Sequence, residues 1–239
     1  MLSGGGSRAA YQVGSLRALV PYLKDEEDRI SVVCGSSIGA VNALILAACL
    51  KKGLSHGVDV LSDMWMERSF RNSFAGSPSQ AFFKAIQVAV LQYLSPGPSE
   101  TNRSVFDPAP LMAAVDRAIE GNGGLAPEER APFLNAVAVM TTIEGRERKP
   151  LLFLSSHREV PAENMAGASF DVCRVHTLNA KHGFASAALP SILPPVELDT
   201  EHGKVRLVDG GISINVPVDP AARLGAERVI VLDISGRHW

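Results

Sequence analysis

The sequence predicts an α/β protein with three layers, in which a mostly parallel central sheet is flanked by helices. Short β-branched runs alternate with segments of helical periodicity along most of the chain. Apolar residues make up 46% of the 239 residues and charged residues 20%, so a sizeable buried core is available. We expect one domain over residues 1–239, because this length suits one large domain better than two.

The first third of the chain predicts a helix, a strand and a second helix. Tyr11–Leu23 has helical spacing, and Ile30–Cys34 is a short β-branched run typical of a strand. Gly39–Lys52 is apolar enough to be a buried helix that ends at Gly53. Residues 69–129 are mostly helical in pattern and interrupted by proline and glycine, which predicts a helical, lid-like insertion.

The rest of the chain predicts four strands and one short helix. The strands are Asn135–Thr142, Pro150–Ser155, Val205–Val208 and Arg228–Asp233, and the helix is Pro220–Leu224, capped by Asp219. In largely parallel sheets, ligand and catalytic groups collect where the strands end. Three segments place small or polar residues at such ends, which is consistent with one shared site: Ser3–Arg8, Gly35–Gly39 and Asp209–Gly211.

Charge, cysteine content and hydropathy exclude several classes of protein. The formal net charge is −2, which provides no basic field for nucleic acid, so we expect no nucleic-acid partner. The three cysteines lack the spacing of a zinc site or a disulfide framework, and no secretory signal is visible; both favour a reducing, cytoplasmic location. Ile38–Leu50, the most apolar segment, is shorter than the roughly 18–20 residues that span a bilayer, so we expect any membrane contact to be peripheral.

Gly35-Ser36-Ser37-Ile38-Gly39 follows a predicted strand and opens a predicted helix. A strand–turn–helix of this kind holds the middle serine in a strained backbone conformation with its hydroxyl exposed. The alternative is an ordinary turn in which Ser37 caps the helix. A second match, Gly53-Leu54-Ser55-His56-Gly57, follows a helix rather than a strand, so we predict a helix stop and a loop there.

Ser3–Arg8 contains three consecutive glycines, Gly4, Gly5 and Gly6, and a predicted helix follows. Their backbone N–H groups can approach an anion closely. One use is a phosphate cradle over Gly4–Ala9, and the other is an oxyanion hole for a serine in the adjacent turn. The acidic residue that a dinucleotide site needs does not end the second strand, and the pairing with Ser37 favours the oxyanion hole.

Asp209-Gly210-Gly211 follows the predicted strand Val205–Val208 and supplies a candidate general base for Ser37. The alternative is an Asp-Gly hairpin turn, and Asp233 is the reserve candidate because it also ends a predicted strand. A Ser–Asp–His triad would need a histidine late in the chain. Only His238 follows the last predicted strand, and as the penultimate residue it is poorly placed to be held rigidly.

These three segments, in this order, resemble the motifs of the patatin-like phospholipases. Ser3–Arg8 resembles that family's glycine-rich oxyanion loop, Gly35–Gly39 its nucleophile elbow and Asp209–Gly211 its catalytic aspartate motif. Two further segments are similar to family segments: Ala185–Pro190 and Asn215–Pro217. The resemblance is strong over residues 1–53 and 180–235 and weak between them.

The resemblance implies a serine acyl hydrolase that cleaves fatty-acyl esters of phospholipids, lysophospholipids or simple lipids through an acyl-enzyme. Ser37 would be the nucleophile and Asp209 the base, and no metal or cofactor is needed. The oxyanion hole would be formed by Gly4, Gly5, Gly6 and Ile38, with support from the motif residues Arg8, Gly35, Gly39, Gly210 and Gly211. Two alternatives remain open: an acyltransferase with the same dyad, and a non-catalytic nucleotide-binding module using Gly4–Ala9.

The sequence departs from the family pattern in two ways. Ala9 stands where the family loop usually has glycine. In addition, only Met1-Leu2 precede the glycine loop and the chain stops soon after Asp233, so we expect a chain truncated relative to the native protein.

Gln80–Leu94 is apolar nearly all round at helical spacing, between breaker clusters at Gly76–Ser79 and Ser95–Ser99. It predicts either a mobile lid or membrane-contacting helix, or a buried core helix. In the first case Phe82, Phe83 and Leu91 would meet the lipid.

Overall fold

The computed structural model describes residues 1–23, 29–94, 104–201 and 203–235 of the chain. Within these ranges the helices are α1 (Ala10–Leu19), α2 (Ile38–Cys49), α3 (Leu54–Met66), α4 (Phe70–Ser73), α5 (Pro78–Leu94), α6 (Ala109–Glu120), α7 (Ala180–Ser186) and α8 (Val218–Arg223). The strands are β1 (Val32–Ser36), β2 (Ala136–Ile143), β3 (Pro150–Ser156), β4 (Asp171–Arg174), β5 (Val196–Thr200) and β6 (Gly203–Val208).

The strands form one mixed sheet around β2. Most of β2 pairs with β1 in parallel, and its last residues, Thr142 and Ile143, pair with β6 in antiparallel fashion. On its other side β2 pairs antiparallel with β3, which pairs in parallel with β4, and β5 forms a hairpin with β6. Leu2 and Leu232 extend the parallel part beyond β1 through isolated bridges.

The two faces of the sheet are covered by different layers. Along β2, Val137 and Val139 face a core that contains side chains of α1, α2, α3, α6 and α7. The alternate residues, including Ala138 and Met140, face a smaller core closed by Ala221 of α8 and by Phe170. Because successive side chains of a strand point to opposite faces, β2 is buried on both sides. The predicted three-layer α/β class is confirmed.

Two local predictions near the C-terminal end of the described residues are corrected by the structure. Arg228–Asp233 does not form a strand: of these residues only Leu232 makes a bridge, to Leu2. Asp219 does not cap α8 but lies in its first turn and pairs with Arg223 at 2.8 Å. The helix starts early because Pro220 falls in the first turn, where its missing N–H removes no intrahelical bond.

The second glycine–serine match also differs from its prediction. The helix before it does end by Gly53, but α3 begins at once with Leu54, so Ser55 lies in a helix and not in a loop. Gly53 joins the two helices with a positive φ of 106°, a conformation that glycine adopts without steric cost.

Among the described residues, none of the helices combines the length and the hydropathy that crossing a membrane requires.

Candidate active site

Ser37 lies in a tight turn between β1 and α2. Its φ of 53° and ψ of −138° fall outside the regions that side-chain-bearing residues prefer. The turn closes so tightly that a Cβ on Gly35 would lie 2.5 Å from the Cα of Ala40. A Cβ on Gly39 would meet the backbone carbonyl oxygens of Leu2 and Ser3. Glycine at both positions therefore lets the strand, the helix and the N-terminal segment approach one another.

The Ser37 hydroxyl donates a hydrogen bond to Oδ2 of Asp209 at 2.6 Å. Asp209 follows β6, and its other carboxylate oxygen accepts the N–H of Gly211 at 2.7 Å. Its backbone carbonyl oxygen accepts the hydroxyl of Thr142, and its N–H donates to the carbonyl oxygen of Ala188. These bonds fix the backbone that carries the carboxylate. The structure thus brings together two residues that are 172 positions apart in sequence.

Burial raises the pKa of the Asp209 carboxyl above its usual value, while the hydrogen bonds from Ser37 and Gly211 act in the opposite direction. The residue is only 5% exposed. A carboxylate with a raised pKa is a stronger base than an ordinary aspartate, and it is already hydrogen-bonded to the proton that a general base would remove.

Ser186, at the end of α7, anchors the turn from behind. Its hydroxyl accepts the backbone N–H of Ser37 at 2.8 Å and donates to the carbonyl oxygen of Met140 in β2. Ser186 is fully buried. The sequence identified this serine only as part of a segment similar to the family; no local pattern indicated that it holds Ser37, because the partners lie far apart along the chain.

The glycine loop lies directly against Ser37. The N–H of Gly4 donates to the carbonyl oxygen of Asn215 at 3.4 Å, and a Cβ on Gly4 would lie 2.6 Å from the Cβ of Ser37. Gly5 and Gly6 line the same cavity as Ser37. Arg8 is exposed, and its Nε donates to the carbonyl oxygen of Gly5 at 3.3 Å, which fixes the outer side of the loop.

Gly210 and Gly211 allow the aspartate turn to pack into the site. A Cβ on Gly210 would run into the carbonyl oxygen of Met140. On Gly211 it would lie 2.6 Å from Oδ1 of Asn215 and 2.9 Å from Oδ1 of Asp209. Asn215, which sequence analysis placed only in a family-like segment, also donates to the carbonyl oxygen of Gly4 at 3.4 Å and so links the aspartate turn to the glycine loop.

A cavity of about 600 Å³ adjoins Ser37 and Asp209. Its wall is largely apolar and is built from α2, α3, α7 and the segment after α7, with Val41, Ile45, Leu61, Met64, Phe184 and Leu193 among its members. Ile38, the predicted oxyanion-hole residue that follows Ser37, also lines it. A cleft of this size and polarity is typical of sites that bury an apolar ligand.

The other candidate groups lie apart from this cavity. Asp233 accepts hydrogen bonds from the N–H and hydroxyl of Ser235 and is not part of the cavity wall. None of the described histidines lines the cavity. His182 is buried in α7, where desolvation lowers its pKa to about 4 and its ring contacts Phe153 edge-on. His238 lies outside the described residues.

The fold and this geometry define an α/β protein in which a serine at a strand-to-helix turn pairs directly with a buried aspartate, without an intervening histidine among the described residues. The chain belongs to the patatin-like phospholipase family, whose model matches residues 1–222. This membership supports lipid acyl hydrolase activity in general. No curated protein and no solved structure shows significant similarity to the chain.

Proposed function

We propose that this protein is a serine acyl hydrolase that cleaves fatty-acyl esters through Ser37 and Asp209. The observation that carries the proposal is the 2.6 Å hydrogen bond from the Ser37 hydroxyl to the Asp209 carboxylate, beside a glycine loop and an apolar cavity. A nucleophile, a base, a set of backbone N–H donors and an acyl-binding cavity are the parts that ester hydrolysis needs.

In the acylation step, Asp209 takes the hydroxyl proton while the Ser37 oxygen attacks the ester carbonyl carbon. The carbonyl oxygen becomes an oxyanion, for which the N–H groups of Gly5, Gly6 and Ile38 are the donors that the geometry favours. The N–H of Gly6 is available because it starts a short helical turn and has no intrahelical partner. The N–H of Gly4 already donates to Asn215. Donors of this kind contribute roughly 2.7–4 kcal/mol each to transition-state stabilisation.

When the intermediate collapses, the bond to the leaving alcohol breaks and Asp209 returns its proton to the alkoxide oxygen. The acyl chain is then esterified to Ser37. Water enters, loses a proton to Asp209 and attacks the acyl carbon; the fatty acid leaves and Ser37 regains its proton. If an alcohol enters in place of water, the same dyad catalyses acyl transfer, so product analysis with added glycerol separates the two activities.

The size of the cavity supports a preference for fatty-acyl substrates. One methylene group occupies a volume on the order of that of a water molecule, about 30 Å³. A cavity of about 600 Å³ therefore has room for one long acyl chain and part of the alcohol group. Each buried methylene contributes about 0.8 kcal/mol to binding, so affinity should increase with chain length until the cavity is filled.

Helix α5 supports peripheral contact with lipid. Its side chains are described up to residue 88, and in this half Phe82 is 64% and Phe83 70% exposed, which contradicts the prediction of a buried core helix for this part. The side chain of Leu91 and the segment Ser95–Ser99 lie outside the described residues. We propose that Phe82 and Phe83 insert into a lipid surface.

The three cysteines are free and buried, which fits a reducing, cytoplasmic location.

Covalent labelling tests the proposal most directly. The protein is incubated with a fluorophosphonate, and the adduct is located by peptide mass spectrometry; we expect one adduct, on Ser37. Hydrolysis of p-nitrophenyl esters from acetyl to palmitoyl is measured in parallel, with an expected fall in KM as the chain lengthens. A label on another residue, or no label and no hydrolysis, would contradict the assignment.

The variant Phe82→Asp, Phe83→Asp tests the lipid contact. It should hydrolyse short soluble esters normally but lose binding to phospholipid vesicles and turnover of long-chain lipids. Vesicle binding equal to that of the parent protein would overturn the role of α5.

A further inference from the structure

Among the described residues that line the largely apolar cavity, Arg68 is the one cationic side chain. It follows α3, and its Nε donates to the carbonyl oxygen of Met64 at 2.7 Å. Its Nη1 is buried and has no hydrogen-bond partner among the residues that the structure describes. A buried N–H donor without a partner is destabilising, and more so when it carries charge. The buried Nη1 group of Arg68 therefore needs a hydrogen-bond acceptor that the described residues do not provide.

Two other polar side chains of this wall, Trp65 and Asn42, have partners. The indole N–H of Trp65 donates to Oδ1 of Asn42 at 3.0 Å, and Nδ2 of Asn42 donates to Gln12 and to the carbonyl oxygen of Ala9. In this network each of these donors has an acceptor. Arg68 differs from it because its buried donor has no acceptor.

The charged residues of the cavity also indicate that Arg68 is available to bind an anionic group. Of the described residues that line it, only Arg68 and Asp209 are ionisable, and the Asp209 carboxylate is engaged by Ser37 and Gly211. An arginine remains charged at all physiological pH values, and its planar fork suits phosphate and carboxylate oxygens. In apolar surroundings such a pair is much stronger than in water.

We propose that Arg68 binds an anionic oxygen of the substrate, a phosphate or a carboxylate, and so selects negatively charged acyl esters over neutral ones. This proposal rests on the proposed function, because it assigns to the same cavity the chemistry of the group next to the ester. The acyl chain occupies the apolar part of the wall, and the anionic group lies at Arg68.

The experiment compares three esters with the same acyl chain: monoacylglycerol, monoacylglycerol phosphate and monoacylglycerol hemisuccinate. For Arg68→Gln we expect KM to increase at least tenfold for the substrates that Arg68 recognises, with kcat nearly unchanged. KM for neutral monoacylglycerol should change less than twofold. The phosphate and hemisuccinate arms show which anionic oxygen is bound. Arg71→Gln, which changes an exposed arginine of α4, is the matched control and should leave all three KM values unchanged.

Binding to the Ser37→Ala protein, measured by calorimetry, separates this proposal from the proposed function. The anionic esters should bind at least tenfold more tightly than monoacylglycerol, and Arg68→Gln in the same background should remove the difference, whether or not the parent protein turns them over. Arg68→Lys should retain part of the preference. Equal affinity for charged and neutral esters, or an equal loss for all three substrates in Arg68→Gln, would overturn the proposal.

Discussion

Two segments of this chain share the pattern Gly-x-Ser-x-Gly, and their surroundings differ completely. In Gly35–Gly39 the serine follows a buried strand and precedes α2, with a positive φ and its hydroxyl bonded to Asp209. In Gly53–Gly57 the serine is the second residue of α3, next to the exposed end of the preceding helix. The comparison teaches that the pattern alone does not make a catalytic site. The serine must also follow a strand that directs its hydroxyl toward a base, and the glycines must allow neighbouring backbone to pack closely.

The largest expected difference between the two segments is the effect of removing each serine. Ser37→Ala should lower kcat for p-nitrophenyl esters on the order of 10⁶-fold, as removal of the nucleophile does in an established serine protease. Ser55→Ala should stay within about twofold of the parent, because substitutions on exposed helical surfaces have small effects. If the two variants had comparable activity, the assignment of Ser37 rather than Ser55 as the nucleophile would be wrong.

Asp209→Asn tests whether the base, rather than the turn alone, distinguishes the Ser37 segment. We expect kcat to fall by about 10²–10⁴-fold, the range for loss of a general base. No single His→Ala variant should lose as much. In the parent protein kcat/KM should fall with decreasing pH as Asp209 becomes protonated, and the raised pKa places this fall closer to neutrality than an ordinary aspartate would.

Asp209→Asn should lower activity but raise the stability of the folded protein at pH 8. Because the pKa of Asp209 is raised in the folded protein, its contribution to stability is fully present below its unfolded-state pKa and is lost as pH rises through the folded-state pKa. The Tm of Asp209→Asn should therefore exceed that of the parent at pH 8, and the difference should shrink toward acidic pH. A variant that is inactive and also less stable at pH 8 would indicate structural damage instead.

Ser186→Ala removes the anchor that the Ser37 segment has behind its backbone N–H. It removes the acceptor of the part-buried N–H of Ser37 and so loosens the turn that positions the Ser37 hydroxyl; we expect kcat to fall by about 10–10²-fold with KM unchanged. Thr141→Val is the matched control: Thr141 is equally buried in β2 and donates to the carbonyl oxygen of Leu151. If both variants lost equal stability and both kept normal kcat, Ser186 would have no positioning role. The variant Ser186→Thr keeps the hydroxyl and should therefore recover part of kcat.

The smallest expected effects compare the closing glycines of the two segments. Gly39→Ala places a Cβ against backbone oxygens that cannot move aside, so the free energy of unfolding should fall by about 1–3 kcal/mol. In Gly57→Ala the nearest atom, at 3.0 Å, is a methyl carbon of Leu46, and alanine favours the helix by roughly 0.5–1 kcal/mol. Urea unfolding should therefore show a clear loss for the first variant and a change below about 1 kcal/mol for the second.

The sequence by itself predicted the α/β class, the family, four of the six described strands (β1, β2, β3 and β6) and the helices α1, α2, α5 and α8. Local signals carry these features: the continuous apolar run of β2, the apolar run of α2 and the glycines beside Ser37 depend on neighbours a few residues apart. The family motifs also identified Ser37 and Asp209 as a candidate pair without any knowledge of the distance between them. The predicted strand Arg228–Asp233 was wrong because a strand depends on backbone partners that its own residues do not specify, and only Leu232 makes a bridge.

The tertiary structure decided what these residues contact. It placed the Asp209 carboxylate 2.6 Å from the Ser37 hydroxyl and Ser186 behind the backbone of Ser37. It also exposed Phe82 and Phe83 on α5 and buried a donor of Arg68 in the cavity wall. None of these features has a local signal, because burial and hydrogen-bond partners are set by segments that meet only when the sheet and its helices pack together.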